Sequence, residues 1–275
     1  MKHLLTRRDL VAAWATVSTT AALSPALAQG NAAAQDELTG GDPLGSMQWP
    51  VLRKHYMGNS PMSFSPQVLV RGPAFADDAM NVPMLLDARA LSKVGGGIER
   101  ITIVADRNPV KEILSFEPLR SLPMLAFRFR MEQGSPVRAM VKTRDGHWHV
   151  GSTWVQAAGG GCTVPGATRS DGTWSKTLNE VQTRFFDNVL EGSRRLRLRV
   201  MHPMDTGLVA GIPAFYIEDL YMQDDAGRIW WRLALHEPVS ENPILTLELP
   251  ERPNGILRVL GHDNNGNRIS AEVSA

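Results

Sequence analysis

From residue 66 to the end of the chain, short runs of apolar residues alternate with polar ones and are separated by turn-forming residues. Alternation of this kind is typical of β-strands that bury one face and expose the other. In the segment 127–131 the odd positions are apolar and the even ones are Arg128 and Arg130, so both arginines are expected to face solvent. The predicted strands cover residues 68–70, 82–86, 101–104, 125–131, 137–143, 148–155, 196–200, 215–217, 229–235, 244–249, 256–260 and 268–273.

Convincing helical periodicity is confined to one stretch, residues 178–190, and a short helix is also predicted near Trp49 to Tyr56. So few helices disfavour an α/β enzyme fold. The turns between strands carry hairpin signals such as Asp145-Gly146. We therefore predict an all-β chain with two immunoglobulin-like β-sandwich domains in tandem, joined by a glycine-rich linker.

The β pattern is interrupted once, between residues 156 and 175, where glycine and small polar residues dominate. A stretch of this composition is typical of a linker between domains. We place the first sandwich at residues 66–158, the linker at 159–177 and the second sandwich at 178–275. Residues 29–65 form a leader that contains the predicted short helix.

The first 28 residues have the pattern of an export signal. The pair Arg7-Arg8 precedes a mildly apolar stretch from Leu10 to Leu23, which is typical of twin-arginine export and too short to span a bilayer. Small residues at Ala26 and Ala28 predict cleavage after Ala28. The mature chain is expected in the periplasm, with no membrane association after cleavage.

Composition narrows the classes of function. Lys and Arg number 29 against 28 for Asp and Glu, so the charge balance gives no reason to expect nucleic acid or an anionic membrane as a partner. The chain has a single cysteine, Cys162, which cannot form an internal disulfide. In an oxidising compartment this thiol pairs with another molecule, stays free or carries a covalent adduct.

Cys162 follows three glycines, Gly159, Gly160 and Gly161, in the least structured part of the predicted mature chain. Glycine leaves the backbone free to move and removes side chains that would obstruct entry into a narrow channel. We expect a flexible arm that holds the thiol in solvent. An incidental cysteine in a linker, or one that dimerises through a disulfide, fits the spacing as well.

Other candidate sites are weaker. His147 and His149 flank Trp148 and could ligate copper or zinc, but no further ligand lies near them in sequence. The segment 201–204 has the composition of a methionine-bearing metal site, although Pro203 favours a structured turn. His202, His236 and His262 are expected in turns or at the surface. Nucleophile, Walker and dinucleotide motifs are absent from the sequence, so we predict no catalytic residue, no metal and no cofactor.

Two sets of segments have a pattern beyond the strand alternation. In the first half they are residues 75–79, 82–84, 106–109 and 159–162, and in the second half residues 202–207, with the block His-Pro-Met-Asp-Thr-Gly, 212–214, 241–243 and 263–266. The first set resembles SoxY, the sulfur-carrying subunit of the Sox thiosulfate oxidation system, and the second set resembles its partner SoxZ.

This resemblance implies a carrier without turnover of its own. Cys162 would hold sulfur intermediates covalently while periplasmic sulfur-oxidising enzymes process them. Here the cysteine continues into Thr163-Val164-Pro165 and a second domain, whereas the SoxY cysteine lies in a free tail. The fusion resembles the SoxYZ-like carriers that are associated with quinoprotein dehydrogenases of alcohol oxidation, which puts thiosulfate as the cargo in doubt.

Two other classes of function stay open. The chain could be an accessory protein that docks a quinoprotein dehydrogenase and its cytochrome without covalent cargo. It could also handle copper through His147, His149 and the methionines.

Overall fold

The computed structural model describes residues 36–170, 172–187, 193–250 and 255–273. The predicted export signal at residues 1–28 lies outside them. Nearly all regular structure in this part of the chain is β-strand, so the prediction of an all-β sandwich fold is confirmed. In the described residues, no helix is long and apolar enough to cross a membrane.

The N-terminal half begins with a helix, α1 (Trp49–Met57), in which Pro50 occupies the first turn, where its missing N–H is no loss. This helix agrees with the one predicted near Trp49. The strands that follow are β1 (Met62–Phe64), β2 (Leu69–Arg71), β3 (Phe75–Ala76), β4 (Val82–Asp87), β5 (Ile98–Ala105), β6 (Glu112–Glu117), β7 (Leu122–Phe129), β8 (Ser135–Thr143) and β9 (Trp148–Ala157).

The C-terminal half is also built from strands. A short helix, α2 (Ala167–Ser170), and a 3₁₀ turn at Trp174–Lys176 lie between the two halves, inside the segment predicted as a linker. The strands are β10 (Val181–Asp187), β11 (Arg194–Val200), β12 (Ile217–Asp224), β13 (Ile229–Leu235), β14 (Ile244–Leu249), β15 (Leu257–Asp263) and β16 (Arg268–Val273).

Each of the two sheets runs through both halves. The larger has the order β1-β9-β8-β5-β6-β13-β12-β15-β16, with β3 also paired to β9, and the smaller has the order β10-β11-β14-β7-β4-β2. The halves meet where β6 pairs antiparallel with β13 and where β7 pairs antiparallel with β14. The two predicted sandwiches are thus joined strand to strand.

A single apolar core lies between the sheets. It includes Phe116 and Phe129 from the first half and Leu233 and Leu247 from the second, all fully buried. Because β6 pairs with β13 and β7 with β14, these four strands do not expose unpaired edges at the junction, where unpaired strands would invite aggregation.

The leader packs on the outer face of the larger sheet. Trp49 is fully buried there, and the guanidinium of Arg138 stacks over its ring at 4.7 Å. Arg138 is itself held by the carboxylates of Asp42 and Asp106, at 2.7 and 2.8 Å, in a fully buried ion cluster. Two carboxylates and a bidentate geometry satisfy a charge that would otherwise be very unfavourable inside a protein.

The helical prediction for residues 178–190 is wrong in its described part, because Val181–Asp187 is strand β10. Its side chains alternate between half-buried and exposed along the first five residues, and all seven residues pair with β11. Pairing with a neighbouring strand, rather than local periodicity, determines the conformation here.

Candidate functional site

Cys162 lies in a turn that follows β9, at the junction of the two halves. Its exposed fraction is 1%, and its thiol donates a hydrogen bond of 3.6 Å to the carbonyl oxygen of Arg130. The expectation of a solvent-exposed thiol is therefore wrong for this conformation. The physical reason is that the segment after β9 folds back onto the end of β7.

The three glycines that precede Cys162 are required by the backbone conformation and close packing of the cysteine turn. Gly159 and Gly160 have φ angles of +98° and +75°, which favour glycine. Gly161 is packed so closely that a Cβ would lie 2.1 Å from the carbonyl oxygen of Ala79. The amides of Gly160 and Gly161 donate to the carbonyls of Glu132 and Met131, each at 3.0 Å. In this conformation they form a hydrogen-bonded turn, and their predicted role as a flexible arm stays a prediction.

The carboxylate of Glu132 holds the cysteine turn from one side. It accepts hydrogen bonds from the backbone N–H of Cys162 at 3.1 Å and from the hydroxyl of Thr163 at 3.1 and 3.2 Å. The negative charge of Glu132 consequently lies directly beside the residue that carries the thiol.

Asn108 fixes the backbone under the cysteine. Its side-chain amide donates to the carbonyl of Arg130 at 2.7 Å, and its side-chain oxygen accepts from the N–H of Glu132 at 3.0 Å. Asn108 is fully buried. It thus orients both the carbonyl that receives the thiol and the strand end that bears Glu132.

Arg130 is buried, with an exposed fraction of 1%, which contradicts the expectation from the alternating pattern that it faces solvent. Strand β7 ends at Phe129, and Arg130 turns inward between the two halves. Its Nη2 donates to the carbonyls of Pro203 and Met204 at 3.4 and 3.3 Å. Arg128, two residues earlier, is exposed as expected.

The segment 202–207 covers the cysteine turn from the second half. The hydroxyl of Thr206 donates a hydrogen bond of 2.7 Å to the carbonyl oxygen of Cys162. Asp205, next to it, forms a salt bridge of 2.6 Å with Arg169. The block that resembles SoxZ and the cysteine that resembles SoxY are therefore in direct contact.

Residues 241–242 support the chain beyond Cys162. The carboxylate of Glu241 accepts from the N–H groups of Ala167 and Thr168, at 3.2 and 2.9 Å, and so caps the start of α2. The side-chain amide of Asn242 donates to the hydroxyl of Thr168 at 2.8 Å. The segment after the cysteine is thus fixed to the second half.

His202 is fully buried, so its predicted place at the surface is wrong. Its Nδ1 accepts from the N–H of Met204 at 3.0 Å, and its Nε2 lies 3.6 Å from a carboxylate oxygen of Asp263. Burial lowers the pKa of His202 to about 4, although Asp263 opposes the shift. The neutral imidazole therefore acts as a structural acceptor that shapes segment 202–207.

The environment suppresses the reactivity of the thiol. Burial and, to a smaller extent, the carboxylate of Glu132 together raise the pKa of Cys162 to about 12, while Arg130 opposes both. Because the thiolate is the nucleophile, Cys162 is nearly inert at neutral pH in this conformation. Any covalent chemistry requires that the turn open or that the surroundings change.

His147 and His149 lie together, with ring centroids 4.6 Å apart, and Nε2 of His147 is 3.0 Å from the hydroxyl of Ser63. Within the described ranges, no group of three or more His, Cys, Asp or Glu residues is placed to hold a metal ion. The two histidines are thus neighbours, but no third His, Cys, Asp or Glu of the described residues joins them to complete a metal site.

The family model described as "Sulfur oxidation protein SoxY" matches residues 53–162, so the first half carries a SoxY-like domain whose matched region ends on Cys162 itself. Among solved structures, the sulfur carrier protein SoxY from Chlorobium limicola f thiosulfatophilum aligns with 20% identity and a TM-score of 0.35, over 40% of this chain and 96% of that one. No curated protein sequence matches the chain.

Proposed function

We propose that this protein is a sulfur carrier that holds sulfur intermediates covalently on Cys162 for processing by partner enzymes. The observation that carries the proposal is the SoxY family match, which spans residues 53–162 and has the single cysteine of the chain as its last residue. The contacts around that residue support it, because Asn108 and Thr206, from segments that resemble SoxY and SoxZ, both hold the surroundings of the cysteine turn.

The buried thiol gives the proposed carrier a closed state. In it, Glu132, Thr206 and the carbonyl of Arg130 hold the turn, and the raised pKa protects the sulfur from unwanted oxidation. Loading and processing require an open state, in which the turn leaves this site and the thiol ionises more readily. The positive-φ glycines Gly159 and Gly160 are suitable hinge positions.

The site of action we propose is the periplasm, reached through the twin-arginine signal in residues 1–28. Partners would be periplasmic sulfur-oxidising enzymes, or a quinoprotein dehydrogenase with its cytochrome. The carrier would have no turnover alone, since the chemistry would belong to the enzymes that attach, oxidise and remove the cargo.

A second candidate function is an accessory protein that docks a quinoprotein dehydrogenase without covalent cargo. The 1% exposure of Cys162 favours this alternative, because a permanently buried thiol would be a packing residue.

The substitution Cys162→Ser distinguishes the two candidates. The carrier proposal predicts that native cells that produce the Cys162→Ser variant lose the oxidation pathway completely. An immunoblot should show that the variant is as abundant as the wild-type protein. Retained pathway activity and partner binding in the Cys162→Ser strain would reject the carrier and leave the docking protein.

A further inference from the structure

The outer face of the smaller sheet carries a concentration of positive charge. Alternate residues of a strand point to the same side of a sheet, so β11 presents Arg195, Arg197 and Arg199 outward. Strands β10 and β7 add Arg184 and Arg128, both exposed. We call these five residues the arginine face. Because the whole chain is nearly balanced, with 29 Lys and Arg against 28 Asp and Glu, it is the fold that concentrates charge here.

Most of the arginine face has no carboxylate beside it. Arg195 forms an ion pair with Glu248. None of the other four has a described carboxylate within salt-bridge distance. Arg184 even lies directly opposite Arg197 in the pairing of β10 with β11, and like charges in this position destabilise a sheet. The stability of the fold therefore gives no reason for this arrangement.

The larger sheet shows exposed arginines that are compensated within the protein. Arg258 lies directly opposite Glu272 on the neighbouring strand, with Nη2 and Oε1 3.4 Å apart. Arg232 pairs with Asp219 of the strand beside it at 2.8 Å. Cross-strand pairs of opposite charge stabilise a sheet. The uncompensated charge of the arginine face is thus available to a partner.

Two adjoining hollows lie among these arginines. The first has a volume of about 370 Å³ and is lined by Arg128 and Arg197 together with apolar residues. The apolar residues include Pro83, Ala126, Phe186 and Ile244. The second, of about 320 Å³, shares Phe186, Arg197 and Ile244 with the first. The face therefore offers positive charge around places that fit apolar side chains.

The arginine face ends next to the enclosure of Cys162. Strands β7 and β11 are both antiparallel to β14, so they run parallel to each other and end at the same edge of the sheet. β7 ends one residue before Arg130, whose carbonyl accepts from the thiol. β11 ends at Val200, just before the segment 202–207 that covers the cysteine turn. A partner bound on this face would thus lie beside the turn.

We propose that the arginine face is the docking surface for an acidic protein, one that presents carboxylates with apolar side chains between them. The inference rests on the proposed function, which requires a partner, and it names the chemistry of that partner's surface. A guanidinium binds a carboxylate through two parallel N–H groups, and arginine is enriched at protein interfaces. The apolar hollows accept side chains that a carbohydrate or a phosphate backbone lacks. Complementary charge would also speed the encounter and orient the partner towards the cysteine turn.

Peptide binding to the purified protein tests this surface without the natural partner. The probe is a fluorescent peptide in which glutamates are interspersed with leucines, and its affinity is measured by anisotropy at low ionic strength. Arg197→Gln/Arg199→Gln should weaken binding at least about tenfold, because two nearby charges are lost. Both arginines are exposed and form no ion pair with a described residue, so the variant should stay folded by circular dichroism.

The matched control is Arg53→Gln/Arg100→Gln, which removes the same charge from exposed positions outside the smaller sheet. It should change the affinity less than about twofold, because salt screens distant charges. Equal losses in the two double variants, or no binding by the wild-type protein, would overturn the proposal.

Three other probes test the choice of an acidic protein as the partner. A peptide with serine in place of leucine should bind more weakly to the wild-type protein, and equal affinity would overturn the role of the hollows. An oligothymidylate or phosphatidylglycerol vesicles that bind through Arg197 and Arg199 more tightly than the leucine peptide would also overturn the proposal. None of these measurements involves the thiol, so their failure leaves the carrier function to be judged on the adducts of Cys162.

Discussion

The hydroxyl of Thr206 in the second half of the chain donates a 2.7 Å hydrogen bond to the carbonyl oxygen of Cys162 at the end of the SoxY-like domain. Glu132 holds the N–H of the same cysteine from the first half. Both backbone polar groups of Cys162 are thus satisfied, one by each half. The junction between the halves consequently determines how readily the cysteine turn can open.

Removing the Thr206 hydroxyl should make Cys162 more reactive. A hydrogen bond of this type contributes about 0.5–1.5 kcal/mol net, so Thr206→Val should raise the iodoacetamide labelling rate of native protein roughly 2- to 12-fold. Thr206→Ser keeps the hydroxyl and should behave like the wild type. An unchanged rate in the valine variant would mean that opening does not break this hydrogen bond.

Neutralising Glu132 should lower the pKa of Cys162. Burial is the main reason that this pKa is about 12, and the Glu132 carboxylate is the second. Glu132→Gln removes the second cause and weakens the hold on the turn, so the pH–rate profile of labelling should shift to lower pH. Glu99→Gln, on the exposed part of β5, is the matched control. Superimposable profiles for wild type and Glu132→Gln would contradict the assigned electrostatic role.

The two glycines before Cys162 should respond differently to alanine. Gly161→Ala would place Cβ 2.1 Å from the carbonyl oxygen of Ala79, and the resulting overpacking should reduce the free energy of unfolding by about 2–4 kcal/mol. At Gly160 nothing lies within 4 Å of the added Cβ, so only the positive φ opposes alanine, at about 1 kcal/mol. Urea denaturation measures both losses. Equal losses would show that close packing does not constrain Gly161.

His202 should make stability depend on pH in the mildly acidic range. Its pKa is about 4 in the folded protein against an ordinary 6.5, because burial disfavours the charged imidazole. Between these values the unfolded state binds more protons, so the free energy of unfolding should fall as pH drops from about 6.5 to about 4. His202→Asn, which cannot titrate, should show a smaller fall in urea denaturation at pH 7 and pH 5. The same fall in both proteins would show that groups other than His202 cause the pH dependence.

Most strands could be predicted because their alternation reflects burial on one face. In β11, for example, Arg197 and Arg199 are exposed and the apolar residues that flank them are buried. β10 could not be predicted, because Val181 and Phe185 fit a helical spacing as well as an alternating one. β6 was missed although Leu114 to Glu117 alternate. Its pairing with β13 joins the two halves, and such long-range pairing is not visible in local sequence.

The cysteine was identified from sequence, but its surroundings were not. Asn108, Glu132 and Thr206 are distant from it along the chain, and the fold alone brings them to Cys162. A run of glycines is also ambiguous, since mobility, positive φ and close packing all favour glycine. The alternating pattern predicted Arg130 at the surface because it gives no sign that β7 ends one residue earlier.

The central claim is that Cys162 carries sulfur compounds covalently. Its most direct test is mass spectrometry of intact protein and of the Cys162 peptide, recovered from native cells grown with reduced sulfur compounds. The account predicts adducts with the mass of added sulfur or a sulfonate-bearing group, all on Cys162 and removed by a reducing thiol. An unmodified Cys162 thiol under every growth condition would contradict it.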